Sequence, residues 1–273
     1  MSMQIRPYEI REPSAPEIPL LVSIPHTGTR VPDAIAADFA SDYIRSLPMT
    51  DWHLHHLYDF LPALGVTTIY ATYSRFVADL NRPPDNAPLY PGRFETGFVA
   101  LQTFQGEDIY RVPPSAEEIT RRRALVHTPY HAKLLELIHA KIMRFGRVVL
   151  IDAHSVASRA NLLHGKLKEH IYLGDRDGRS CAPWLVDAAE RGFLESHYTL
   201  MRNHPYKGGY ITEHYGQLEQ VEALQIEMCQ RVYMDEDDPA GGVSHPNFTQ
   251  AKARIRAVLE SVRAETLRQR AGW

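Results

Sequence analysis

The chain has little of what would announce a special class: in 273 residues there are two cysteines, Cys181 and Cys229, and no long apolar run. Two thiols cannot supply a disulfide framework, and no stretch approaches the ~20 apolar residues that span a bilayer. A charge excess is also missing. Thirty Lys plus Arg against 33 Asp plus Glu leave a net charge of -3, so no global positive field attracts nucleic acid or an anionic membrane. No phosphate loop or GxGxxG fingerprint occurs, which gives nucleotide cofactors little support. The segment Met1 to Glu17 is polar and interrupted by Pro7, Pro13 and Pro16. Without the apolar centre of a secretory signal, the expected location is the cytoplasm.

What is present reads as a globular core. Hydrophobic residues make up 44% and charged residues 23%, near the averages of soluble domains. With no repeat and no long linker, residues 1–273 are expected to form a single domain. Apolar runs at Leu20 to Ile24, Val66 to Ala71, Val148 to Ile151, His170 to Leu173, Tyr198 to Met201 and Ala223 to Ile226 predict buried strands. Ser115 with Glu118 predicts a capped helix that Pro129 kinks or splits, and Asn247 with Gln250 predicts the cap of a last helix. Strands alternating with helices imply an α/β fold whose sheet is mostly parallel or mixed and covered on both sides. Ligands in such sheets meet the carboxyl ends of the strands.

Two strand runs stop at histidine, Leu20-Leu21-Val22-Ser23-Ile24-Pro25-His26 and Val148-Val149-Leu150-Ile151-Asp152-Ala153-His154. Neighbouring parallel strands lie ~4.8 Å apart, so His26 and His154 could share one ion, with Asp51 as a third ligand. The alternatives are ordinary: a polar surface for the histidines and a helix N-cap for Asp51. His53, His55 and His56 read as a solvated helix face. Arg82 beside Asn81 suits capture of a carboxylate, with Arg75 as a second cation; the competing arrangement is an Arg82–Asp79 ion pair with Arg75 on the surface. Glu227 lies in an apolar neighbourhood, where burial would raise its pKa for proton transfer, unless strand alternation turns it to solvent. Arg121, Arg122 and Arg123 read as a solvated helix face, and Cys181 as an unactivated thiol.

Taken in order, SIPHTG around His26, the Asp51 segment, SRFVADLNRP, GEDIYR, DAHS, NHPYKGGYIT with HYG, and ALQIEMCQRVYMDE resemble the N-formylglutamate amidohydrolase family across nearly the whole chain. The resemblance implies a three-layer, zinc-carboxypeptidase-like α/β/α fold and a Zn²⁺ or other divalent ion. By position it makes His26 and His154 metal ligands, Asn81 and Arg82 a carboxylate clamp, Arg75 an oxyanion support and Glu227 the proton shuttle. Related enzymes carry Glu three residues after the first His, where this chain has Thr29, so Asp51 takes that ligand's place. Glu222 stands where a histidine often precedes the LQIE element.

The implied reaction is hydrolysis of N-formyl-L-glutamate to formate and L-glutamate, in histidine degradation. The expected partner is therefore a small dicarboxylate, with Lys207 or Arg93 meeting its second carboxylate. Two other readings share the motifs: an N-acyl amino-acid deacylase or carboxypeptidase, and a carboxylate-binding protein without turnover.

Overall fold

Seven strands make one mixed sheet in the computed structural model, which describes residues 5–90, 92 and 94–270. In chain order they are β1 (Tyr8–Arg11), β2 (Leu20–Ile24), β3 (Thr67–Ala71), β4 (Val148–Val156), β5 (Ile171–Gly174), β6 (Leu200–Arg202) and β7 (Val221–Cys229). They lie side by side as β1-β3-β2-β4-β7-β5-β6. The centre, β3-β2-β4-β7, is parallel; β1 and β5 pair antiparallel with β3 and β7, and β6 runs parallel to β5.

The period-2 geometry of a strand divides each apolar run between two cores. Val22 and Ile24, Ile151 and Ala153, and Leu224 and Ile226 pack on one face with the helices Pro183–Glu195 and Pro246–Arg270. Leu21, Leu150, Val221 and Ala223 pack on the other with Tyr130, Leu134 and Ile138 of the helix Thr128–Phe145. Burial on both sides explains why the runs are continuous rather than alternating. The result is the expected three-layer arrangement.

Near the strand carboxyl ends, that second face changes character. Ser23 on β2, Asp152 and His154 on β4, and Gln225 and Glu227 on β7 continue its alternation with polar side chains, all buried. Their register is direct: Ser23 pairs with Asp152, Asp152 with Gln225, and His154 with Glu227. One face of the sheet thus grades from core into a polar floor.

Several local expectations differ from the structure. β4 and β7 outrun their apolar stretches because each is the other's ladder partner as far as Val156 and Cys229. The edge strand β1 was hidden in a polar, proline-rich segment; Tyr8 and Ile10 supply just enough apolar surface to pack on the second core. Pro129 does not break its helix. Helix Ala116–Arg122 runs without a break through a π turn, Arg123–His127, into Thr128–Phe145, so the proline is taken up by a local π insertion just before it. The last helix starts at Pro246, and His245 Nδ1, rather than Asn247, accepts the free N–H of the first turn at 3.2 Å. Arg122 is buried against Glu118 and Tyr110, so only part of the arginine run, with Arg121 exposed, is a solvated face. Among the described residues no helix is long and apolar enough to cross a membrane.

In the SIPHTG segment, a Cβ at Gly28 would lie 2.2 Å from the Tyr73 carbonyl oxygen. Gly28→Ala should therefore displace the loop that follows β2 and cost ~1–3 kcal/mol. Chemical denaturation measures this; an unchanged midpoint would show that the Tyr73 backbone yields freely.

Candidate metal centre and active site

His26, Asp51 and His154 converge although they lie far apart in sequence. Their ligand atoms fall within 4.8 Å of one another, and all three residues are buried. Asp51 reaches the strand ends because its N–H donates to the His26 carbonyl at 3.0 Å and its Oδ2 accepts the Ser155 N–H at 3.0 Å. It precedes the short helix Leu54–Leu57 rather than opening it. Asp51 Oδ2 is 3.2 Å from His154 Nδ1 and 4.0 Å from His26 Nδ1. A tetrahedral ion with ~2.1 Å bonds separates its ligand atoms by roughly 3.4 Å, so the spacing fits with small adjustments.

Each imidazole is aimed from behind. His26 Nε2 lies 2.7 Å from Asp79 Oδ1, and His154 Nε2 lies 3.0 Å from Asp152 Oδ2. At His26 a carboxylate accepting from Nε2 leaves Nδ1, the atom facing Asp51, free to bind an ion; at His154 both the Asp152 carboxylate and the Asn81 amide, 2.8 Å away, bear on Nε2, and carboxylate partners behind histidine are usual at metal sites. Asp79 and Asp152 are fully buried and were missed as orienting groups. The signal for Asp152 was its place two residues before His154 on one strand face. Asp79 was read only as a possible partner for Arg82, but it pairs with Arg75 Nη2 at 2.7 Å. Arg75 is therefore not on the surface.

The electrostatics describe a pocket short of positive charge. Asp51, Asp79, Asp152 and Glu227 are all buried, with Arg75 the buried arginine beside them. Burial alone would raise the Asp79 pKa, yet Arg75, His26 and Arg82 outweigh it and hold the group well below the usual carboxylate range. Burial, with Arg75, lowers the His26 pKa and favours the neutral ring that ligates. At His154 burial opposes protonation, but Asp152, Asp51 and Glu227 raise its pKa well above the ordinary value. Burial pushes Glu227 up to about 8, with Asp51 and Asp152 adding to the shift against His154 and Arg75. A site that recruits protons onto His154 and Glu227 fits a divalent cation, which would supply the missing charge.

Around this centre lies a pocket of about 100 Å³. Glu227 and Arg82 line it beside the three candidate ligands, with Gln105, Asn161, Tyr206 and Gln225 as polar neighbours that sequence reasoning had not singled out. Gln225 donates to Glu227 Oε2 at 3.2 Å while its own Oε1 accepts the Gly209 N–H at 2.7 Å. The NHPYKGGY turn thereby contacts the site through backbone: a Cβ at Gly209 would lie 2.4 Å from Asn81 Nδ2.

Arg75 lines the pocket too, and its buried Nε has no hydrogen-bond partner. Arg82 donates from Nε to the Thr96 carbonyl at 2.7 Å, from Nη1 to the Asn81 carbonyl at 2.9 Å and from Nη2 to Thr96 Oγ1 at 3.2 Å. Of the five N–H groups of a guanidinium, this leaves one on each terminal nitrogen, the pair that grips a carboxylate bidentately.

Other predicted residues lie elsewhere or are otherwise engaged. The Asn81 amide is turned inward: Oδ1 accepts the Ile211 N–H at 2.7 Å, and Nδ2 donates to Asp152 Oδ2 at 3.0 Å and lies 2.8 Å from His154 Nε2. Lys207 is ion-paired with Asp177 at 2.8 Å and is not among the pocket-lining residues. Arg93 lies outside the described residues. The histidine cluster is only partly solvated: His55 Nδ1 is 2.7 Å from Thr27 Oγ1, and its ring stacks on Tyr70. Cys181 is buried, and burial pushes its thiol pKa up, away from a nucleophilic thiolate.

Comparison with known proteins agrees with this picture. Residues 18–234 match the model of a family described as N-formylglutamate amidohydrolase. Curated proteins named N-formylglutamate deformylase from Pseudomonas aeruginosa and Pseudomonas putida are 42% identical over 253 residues and 41% over 250; these alignments cover 90% and 89% of this chain and 93% and 92% of the relatives. A crystal structure of an N-formylglutamate amidohydrolase from Ralstonia eutropha superposes with a TM-score of 0.81 at 29% identity, covering 98% of this chain and all of that one. A gene product of Agrobacterium tumefaciens, at 22% identity and a TM-score of 0.68, shares the fold.

If Asp152 aims His154, Asp152→Asn should weaken Zn²⁺ binding ~10–100-fold without unfolding the protein. Competition against a chromogenic chelator reads this out, and wild-type affinity in the variant would remove Asp152 from the site.

Proposed function

Because the chain belongs to the N-formylglutamate amidohydrolase family, we propose that it hydrolyses the formamide bond of N-formyl-L-glutamate, yielding formate and L-glutamate. The observation that carries this reading is the meeting, in one small pocket, of three candidate metal ligands, a carboxylate with a raised pKa and two arginines with unused donors. His26, Asp51 and His154 would hold the ion; two imidazoles and a carboxylate suit Zn²⁺. When bound, it would supply Lewis acidity that polarises the formyl oxygen and acidifies water.

The chain's own groups account for the remaining demands. Glu227 takes a proton from the attacking water and returns it to the glutamate nitrogen as the carbon–nitrogen bond breaks. Its buried surroundings tune it for both directions of transfer. Arg75, held by Asp79, directs its free Nε–H at the oxygen that gains negative charge. Arg82 receives one substrate carboxylate on its two outward N–H groups. Asn81, whose amide serves Asp152, acts behind it rather than as a direct clamp. The reading assigns the reaction to histidine degradation in the cytoplasm.

Formate release from N-formyl-L-glutamate by metal-depleted and Zn²⁺-restored protein tests the activity directly. Activity should vanish and return; turnover by fully depleted protein would refute metal dependence. Comparison with N-acetyl- and N-succinyl-glutamate and short peptides tests the acyl specificity. Glu227→Gln should keep its metal and lose at least ~100-fold in kcat, and near-normal turnover would end its role as proton carrier. Arg82→Ala should raise KM for N-formyl-L-glutamate while sparing small neutral formamides. Equal losses on both substrates would point to a structural role.

A further inference from the structure

Leu80, Asn81 and Arg82 form no regular secondary structure, so their backbone carbonyls have no ladder or helix to satisfy them. Each has a partner. The Leu80 carbonyl oxygen lies 2.9 Å from His131 Nε2, and the Arg82 carbonyl oxygen 3.2 Å from His127 Nε2. Between them, the Asn81 carbonyl accepts from the Tyr210 N–H at 3.4 Å and from Arg82 Nη1 at 2.9 Å.

A carbonyl can only accept, so both histidines carry their proton on Nε2. His131 Nδ1 is then an acceptor, and the Tyr215 hydroxyl lies 2.9 Å from it. The two histidine rings stack on each other with centroids 4.1 Å apart, and the Tyr215 ring lies nearly parallel to His131 with its centroid 5.9 Å away. Burial, the largest influence on both, lowers the His127 pKa to about 4 and that of His131 well below its ordinary value. The pair therefore stays neutral and keeps the required tautomer. His127 closes the π turn and His131 follows one turn later, so a single helix presents both donors.

We propose that His127 and His131 are positioning residues for substrate capture, fixing the backbone on either side of Asn81 so that the Arg82 guanidinium meets the substrate carboxylate. The inference rests on the reading of Arg82 as the carboxylate partner. Neither histidine belongs to the candidate metal set or touches reacting atoms; they act through the loop they hold.

The test compares His127→Leu and His131→Leu with His127→Gln and His131→Gln, whose amide nitrogens can still donate. Metal content, kcat and KM for N-formyl-L-glutamate, and calorimetric Kd for L-glutamate are measured on Zn²⁺-loaded protein. Each Leu variant should raise KM and Kd ~10-fold while kcat changes less than ~3-fold and metal content holds, and the Gln variants should recover most of the loss. His131→Leu added to Arg82→Ala should weaken binding little further, since both act on one guanidinium.

Unchanged KM and Kd in both Leu variants would overturn the proposal, as would additive losses with Arg82→Ala. If one Leu variant does not fold, its Gln counterpart and the other histidine decide by the same ratios. A wild type that binds L-glutamate but releases no formate refutes the proposed activity alone, and the Kd ratios then judge the histidines. A wild type that binds neither compound refutes Arg82 as carboxylate partner and this inference with it.

Discussion

Two buried carboxylates, each behind an imidazole, are the constraint on which the site depends. Asp79 behind His26 and Asp152 behind His154 direct the opposite nitrogens toward Asp51. Such groups are expensive to bury unless paired, so the surrounding structure is committed to pairing them. Arg75 answers Asp79, and Asn81 answers Asp152. Removing any one partner leaves a buried charge exposed to the low-dielectric interior, which links the fold near the strand ends to the chemistry there.

The sheet makes this arrangement possible by changing one face from apolar to polar along the same strands. Leu150 packs against the helix Thr128–Phe145, while Asp152 and His154, two and four residues later, lie on that same side, Asp152 buried beneath the pocket that His154 lines. β7 repeats the gradient from Ala223 to Gln225 and Glu227. The strand period therefore sets the candidate ligand His154 directly opposite Glu227 on the neighbouring strand, without a loop between them.

Loops supply what strands cannot. Asp51 arrives through a backbone bond to His26, and Arg82 through a tripeptide whose carbonyls are capped by a helix and a turn. Asp51 is the third candidate ligand and Arg82 the proposed carboxylate partner, and their positions depend on hydrogen bonds between segments far apart in sequence. Spacing could nominate Asp51 and Arg82; it could not show that Asn81 faces inward, that Lys207 turns to Asp177, or that Asp79 belongs to His26 and Arg75 rather than to Arg82.

The positions of β2 to β7, the covered sheet, the placing of His26 and His154 at strand carboxyl ends, and the family resemblance were legible in the sequence, because buried strands write their apolarity directly into residue order. β1, the true start of the last helix and the burial of Arg122 were not, since each depends on a partner supplied from elsewhere: β3, His245, and Tyr110 with Glu118. The second carboxylates behind the imidazoles and the two histidines beneath the Arg82 loop belong to the same class. A hydrogen bond across 53 or 51 residues leaves no periodic trace in the chain, so only tertiary contact decides it.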